Sequence, residues 1–202
     1  MSSSFLIKLA QARPDPGGGA AAAYSAGVGM ALLIKIIRLE KSRPYNDDLP
    51  PRFWSNILAE ARRLDRTLNQ LRQADVEAYL AMAQALSIPL RGLRLKRVVE
   101  EALRCPWQIM GEVLSALNQV GTVGEYCQRH LLSDLLVATE VLGGALQGAH
   151  HIALANLPLV DSPSRREDWA NRLSQASHQG LEATLRLRSR LLARTHAASG
   201  SG

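Results

Sequence analysis

Aromatic residues and cysteines are scarce in this sequence. Aromatics make up 4% of its 202 residues, and the hydrophobic 47% is dominated by Ala and Leu. Because Ala and Leu are strong helix formers and β-branched residues are not abundant, this composition favours helices over sheets. Cys105 and Cys127 are too few for a disulfide framework, so a reducing, cytoplasmic location is expected.

Signals for export, membrane insertion and metal binding are also missing. Residues 1–14 have no basic start and no long apolar core, so a signal peptide is not expected. The uncharged run from Ala20 to Ile34 is too short to span a bilayer. His150 and His151 have no partner at metal-ligand spacing, and no HExxH motif occurs. Neither a membrane nor a metal site is therefore expected.

The net charge of +6 is spread among acidic residues. The two basic runs, Arg91 to Arg97 and Arg186 to Arg194, contain no aromatic residues that could stack on bases. We interpret these runs as solvated helix faces or dimer edges, so nucleic acid is not an expected partner. A mildly basic surface would also suit an acidic small-molecule ligand.

Apolar residues recur at helical spacing along nearly the whole chain, without a convincing alternating strand. The pattern predicts one all-α domain over 1–195, a bundle of five to seven helices, followed by a disordered tail over 196–202. The predicted helices cover 4–11, 19–39, 52–86, 93–118 with a bend at Pro106, 133–156 and 165–193. Residues 120–130 are predicted to form a turn or a short helical link.

Three consecutive glycines, Gly17, Gly18 and Gly19, open a long run of small residues. They lack the Lys-Ser/Thr pair of a phosphate-binding P-loop. The pattern favours a loop followed by a buried helix whose small residues, such as Gly27 and Gly29, let neighbouring helices approach closely. Uncovered N–H groups at such a helix N-terminus also favour a carboxylate or another electron-rich group.

Asp75 interrupts an apolar stripe on the third predicted helix. The stripe steps by three or four residues, as an inward face requires, and runs through Leu68, Leu71, Asp75, Ala78 and Met82. A buried carboxylate must be hydrogen-bonded, shifted in pKa, or placed at the edge of a pocket. The pattern leaves two interpretations open: a catalytic acid or base, and a structural Asp bonded to a neighbouring helix.

Ser133 and Asp134 begin the fifth predicted helix. By spacing alone, an N-cap serine followed by an acid that complements the helix dipole is the favoured interpretation.

Four stretches, in this order, resemble one known family. They are PDPGGGAAA (14–22), ADVEAYLAMAQAL (74–86), CPWQIM (105–110) and SDLLVATEVLGGALQGA (133–149). This ordered set resembles the formiminotetrahydrofolate cyclodeaminase / methenyltetrahydrofolate cyclohydrolase family. The resemblance implies an all-helical two-fold dimer that acts on the one-carbon unit of tetrahydrofolate without a metal or another cofactor.

The resemblance also implies roles for individual residues. Asp75 matches the catalytic acid/base, and Gly17, Gly18 and Gly19 match glycines that approach the folate. The implied substrate-binding residues further along the chain are Lys41, with Arg43 as its rival, then Ser133, Asp134 and Asn156.

Two departures from the family pattern support an alternative. The spacing between Pro89 and Pro106 is shorter than the family's, and EYCQRHLLSD (125–134) replaces the usual loop before the Ser-Asp pair. The alternative is a non-catalytic folate-binding or partner-binding dimer of the same fold.

Overall fold

The computed structural model describes residues 2–43, 49–87 and 93–196. Within these ranges the chain forms six α-helices, two short 3₁₀ turns and no strands. The helices are α1 (Ser2–Leu9), α2 (Gly18–Lys41), α3 (Phe53–Ser87), α4 (Leu93–Tyr126), α5 (Leu132–Asn156) and α6 (Pro163–His196). The predicted all-α bundle of five to seven helices is therefore confirmed.

The bundle runs up and down, with successive long helices antiparallel. Helix α2 packs against α3 and α5, and α4 packs against the same two helices, so that α2 and α4 lie on one diagonal of the four-helix arrangement and α3 and α5 on the other. Helix α6 closes the bundle against α4 and α5. Fully buried side chains of α2, α4 and α5, such as Leu33, Leu117 and Leu135, form the core between them.

Small residues let α2 and α5 approach closely. A Cβ added to Gly29 would lie 2.8 Å from Leu142 Cγ, and one added to Gly148 would touch Ala22 at 3.4 Å. The predicted packing role thus holds for Gly29. It does not hold for Gly27, since a Cβ there would meet no atom of the described residues within 4 Å.

Helix α4 is longer than the sequence suggested. It includes Pro106 and continues to Tyr126, so the prediction that it ends at 118, before a turn or short helical link over 120–130, is wrong: the link begins only after Tyr126 and contains the 3₁₀ turn Arg129–Leu131. The chain stays helical through Gly121 and Gly124 because their missing side chains admit Leu187 and Leu191 of α6. Tertiary packing here outweighs the helix-breaking tendency of glycine, about 1 kcal/mol per residue.

Two segments are long and apolar enough, by length and composition, to cross a membrane: Gly18–Lys41 and Arg129–Leu159. About half of each is buried against the other helices of the bundle. A core helix of a compact bundle has the same composition, and both segments pack in that way here.

Three predicted features fall wholly or partly outside the described residues. These are the connection between the predicted helices 19–39 and 52–86, of which 44–48 lie outside, the connection between the predicted helices 52–86 and 93–118, of which 88–92 lie outside, and the tail beyond residue 196.

Candidate active site

A cavity of about 290 Å³ lies where the N-terminus of α2 meets α3, α4 and the C-terminus of α5. Five of the residues singled out from the sequence line it together: Gly17, Gly18, Gly19, Asp75 and Asn156. These residues are far apart along the chain, and the antiparallel packing of α2, α3 and α5 brings them to one end of the bundle.

Among the described residues that line this cavity, Asp75 is the charged one, and it is only 9% exposed. Its position on α3 follows the apolar stripe, since Leu68, Leu71 and Met82 on the same face are also buried. The carboxyl group lies directly against Gly19 of α2, where an added Cβ would be 2.6 Å from Asp75 Oδ2. A residue with a side chain at position 19 would therefore collide with the carboxyl group.

Two effects oppose each other at the Asp75 carboxyl group. Burial raises its pKa above the usual value, and the backbone N–H of Ala20 donates to it and lowers the pKa by a smaller amount. Because Ala20 lies in the first turn of α2, Asp75 also satisfies one of the free N–H groups of that helix terminus. The structural and the catalytic interpretations of this acid are therefore compatible.

Cys105 is on α4, close to Asp75. Its thiol points at the carbonyl oxygen of Leu71, at 3.5 Å. In a regular helix that carbonyl also accepts the backbone N–H of Asp75, four residues on. Burial, together with the nearby Asp75 charge, raises the pKa of the Cys105 thiol to about 12.

Both thiols are expected to be unreactive in the folded protein. Cys105 and Cys127 are buried, and burial raises the pKa of each. For a pKa of about 12, the thiolate fraction at pH 7 is about one part in 10⁵. A chromogenic disulfide reagent should release no signal from native protein and two equivalents after denaturation. Rapid labelling of the native protein would contradict this arrangement.

Asn156 ends α5 and faces the same cavity. Its side-chain amide nitrogen donates to the carbonyl oxygen of Ala102 on α4, at 2.9 Å. The two helices that carry Asp75 and Asn156 are thus both tied to the same stretch of α4, between Ala102 and Cys105.

Lys41, Ser133 and Asp134 lie at the opposite end of the bundle. Lys41 is 22 residues beyond Gly19 on α2, and Asp134 is 22 residues before Asn156 on α5. At 1.5 Å per residue, each separation is about 33 Å. A single chain therefore does not bring these three residues to the cavity that contains Asp75.

This second group has charged neighbours. Helix α5 begins at Leu132, so Ser133 already lies inside the helix and the N-cap interpretation is wrong. Asp134 pairs with Lys35 of α2 at 2.7 Å, on the protein surface. Lys41 and Arg43 line another cavity, of about 470 Å³.

The Asp75 cavity is also lined by Tyr79 and Ala102, which the sequence did not single out, and by Ile152. Tyr79 is one helical turn after Asp75, so its position on the same face could have been found from spacing. Ala102 and Ile152 carry no such signal, because only the packing of α4 and α5 brings them here.

Two of the four arginines in the basic run from Arg186 to Arg194 pair with acidic groups. Arg188 pairs with Glu140 at 2.6 Å and Arg190 with Glu125 at 2.5 Å. In the described ranges, no cluster of three or more His, Cys, Asp or Glu residues suits a metal ion.

Comparison with known proteins relates this geometry to a family. The family model described as formiminotransferase-cyclodeaminase matches residues 1–175. The chain belongs to the formiminotransferase-cyclodeaminase family. This confirms the resemblance found in the four sequence stretches.

Two curated relatives carry enzyme names. A methenyltetrahydrofolate cyclohydrolase of Methylorubrum extorquens is 27% identical over 173 residues, covering 82% of this chain and 83% of the relative. A formimidoyltransferase-cyclodeaminase of Mus musculus is 25% identical over 181 residues, covering 84% of this chain. The chain spans only 33% of the mouse protein's length.

A solved structure shares the fold. The formiminotetrahydrofolate cyclodeaminase of Thermotoga maritima superposes with a TM-score of 0.88 at 20% identity, covering 96% of each chain. At this identity the likeness establishes the helical architecture alone. The activity is inferred from the family and from the site.

Proposed function

We propose that the protein is a folate one-carbon enzyme, either a formiminotetrahydrofolate cyclodeaminase or a methenyltetrahydrofolate cyclohydrolase. The observation that carries the proposal is the placement of Asp75. It is a buried carboxyl group with a raised pKa, set against the triple glycine in a cavity large enough for part of a folate. Family membership supports the substrate class.

One acid/base serves both reactions. In the cyclodeaminase, a ring closure at the one-carbon unit expels the amino group, and Asp75 gives a proton to the departing ammonia. In the cyclohydrolase, water adds to the methenyl carbon and Asp75 accepts a proton from it, after which the ring opens to formyl-tetrahydrofolate. A carboxyl group with a raised pKa holds a proton more readily near neutral pH, and one positioned acid/base contributes about 10² to 10⁴ in rate.

The same protein should be assayed with both substrates. We expect methenyl-tetrahydrofolate absorbance to decay faster with the protein, or formimino-tetrahydrofolate to release ammonia, and the faster reaction identifies the enzyme. Tight binding of tetrahydrofolates with no turnover of either substrate would favour the non-catalytic dimer instead.

We also propose a two-fold homodimer through the exposed faces of α2 and α5. Val28 is 45% exposed and Val137 52% exposed, and the Lys35–Asp134 pair shows that these faces lie side by side. A two-fold axis perpendicular to the helices near their midpoints, close to Val28 and Gly144, sets the two copies side by side in opposite directions. It would bring the Lys41 and Asp134 end of one copy towards the Asp75 cavity of the other.

A bulky residue at the middle of this face tests the dimer. A Cβ at Gly144 meets no described atom within 4 Å, so Gly144→Arg should leave the protomer folded while preventing the association of two copies. Gly111→Arg is the matched control, because Gly111 on α4 has equally open surroundings within the described chain. Light scattering should give a monomer for the first variant and a dimer for the second. A wild-type monomer would refute this proposal.

Mixing of inactive variants tests whether the site is shared. We expect Asp75→Asn and Lys41→Ala to be inactive alone. If each site uses Asp75 of one copy and Lys41 of the other, random exchange makes half of the dimers hetero-dimers with one intact site. The mixture should then recover about a quarter of the wild-type activity. No recovery after proven subunit exchange would place Lys41 outside the partner's site.

A further inference from the structure

Pro106 leaves a gap in the hydrogen bonding of α4. The residue lies well inside the helix, between Leu93 and Tyr126. Proline has no backbone N–H, so the carbonyl group four residues earlier, that of Ala102, lacks its helical donor. Ala102 is only 5% exposed, so water reaches this carbonyl poorly.

Asn156 supplies the missing donor from another helix. Its side-chain nitrogen lies 2.9 Å from the Ala102 oxygen. Because a carbonyl oxygen only accepts hydrogen bonds, the amide atom facing it must be the nitrogen. The orientation of the Asn156 carboxamide is therefore determined by chemistry.

This orientation has a consequence for the cavity. With the nitrogen held on Ala102, the carbonyl oxygen of the Asn156 amide stays available as an acceptor. It makes no other side-chain hydrogen bond within the part of the chain that is described, and Asn156 lines the cavity together with Asp75. The site then offers a fixed neutral acceptor beside a titratable carboxyl group.

We propose that Pro106 is a positioning residue for ligand binding. By removing one N–H from α4 it reserves the Ala102 carbonyl for Asn156, which in turn presents its amide oxygen to an N–H donor of the ligand. A tetrahydropterin ring carries such donors, so the identity of the ligand rests on the proposed function. The neighbouring Cys105–Leu71 contact ties the same turn to the helix of Asp75.

The first experiment measures the stability of the protein without ligand. Pro106→Ala restores an N–H that competes for the Ala102 carbonyl and so releases Asn156. Asn156→Asp replaces the donor by a carboxylate that repels that carbonyl. We expect Asn156→Asp to lower the urea midpoint of unfolding clearly in the Pro106 background and much less in the Pro106→Ala background. Equal shifts in both backgrounds would overturn the proposal.

The second experiment measures KM and kcat for the folate substrate. Losing one hydrogen bond should raise the KM for the folate substrate about tenfold in Pro106→Ala, with a smaller change in kcat. The effect should nearly disappear in an Asn156→Ala background, whereas additive effects would show that Pro106 acts independently of Asn156. Pro163→Ala is the control, because Pro163 is the first residue of α6, where no helical N–H is needed.

The two experiments separate this inference from the proposed function. If the wild-type protein neither binds nor converts folates, the proposed function fails while the unfolding experiment still tests the Pro106–Asn156 coupling. If folates turn over but the unfolding shifts are equal, the proposed function stands and the positioning role is refuted.

Discussion

Asp75→Asn is expected to lower kcat/KM by about 10² to 10⁴ while the helical fold remains intact. The carboxyl group is the only acid within the described lining of the cavity, and an amide of the same size neither donates nor accepts the transferred proton. The measurement is turnover of both substrates, with circular dichroism as the check on the fold. Full turnover by this variant would show that another group carries out the chemistry.

Asp75→Asn should also change how the free energy of unfolding depends on pH. Because the folded protein raises the pKa of Asp75 above its ordinary 3.8, the folded state binds this proton more tightly than the unfolded state does. The contribution of Asp75 to the free energy of unfolding therefore falls as pH rises from about 3.8 through the raised pKa. Asn carries no charge, so its variant should be at least as stable as the wild type at pH 7 and should lack this dependence.

Asp65→Asn provides the matched control. Asp65 lies on the same helix and its pKa is also raised by burial, but it does not line the cavity. Urea unfolding at several pH values should show that each variant loses part of the wild-type pH dependence, in the same direction for both. Only Asp75→Asn should lose activity. Equal loss of activity in the two variants would indicate that α3 as a whole, not Asp75, is needed.

Gly19→Ala is expected to lower both activity and stability. The new Cβ would lie 2.6 Å from Asp75 Oδ2 and would meet the side chain of an acid fixed inside the bundle. Either the carboxyl group or the start of α2 must then move. A displacement of about 1 Å at the catalytic group costs about 10² in rate, and overpacking of this kind costs about 1–3 kcal/mol of stability.

Gly111→Ala is the control for this steric effect. Gly111 lies inside α4, and an added Cβ would have no neighbour within 4 Å among the described residues. Because Ala is the better helix former, this variant should gain up to about 1 kcal/mol and keep its activity. Steady-state kinetics and urea unfolding of the two variants give the comparison. An active and stable Gly19→Ala would contradict the close contact with Asp75.

The sequence predicted the helices well because their signals are local. Apolar spacing and the prolines and glycines placed most helix bounds within a few residues, and the stripe on α3 identified Asp75 as an inward-facing acid. The end of α4 was missed because Gly121 and Gly124 look like helix breakers in sequence. Their role becomes visible only when Leu187 and Leu191 of α6 are packed against them.

The sequence predicted only part of the candidate site, because packing between helices decides which of its residues meet. One cavity is lined by Gly17–Gly19, Asp75 and Asn156, which were predicted to belong to one site. Lys41, Ser133 and Asp134 lie about 33 Å away within the chain, and their roles remain predictions that depend on a partner copy.

The sequence by itself determined the all-helical class and the inward-facing acid, since both depend on residue type and short-range spacing, and it indicated the family through the resemblance of four stretches. Only the tertiary structure decided that Asp75 meets the N-terminus of α2, and that Asn156 completes the hydrogen bonding interrupted by Pro106. The physical reason is that both contacts join separate helices. The crossing and register of packed helices, which the spacing within one helix does not specify, decide which groups meet.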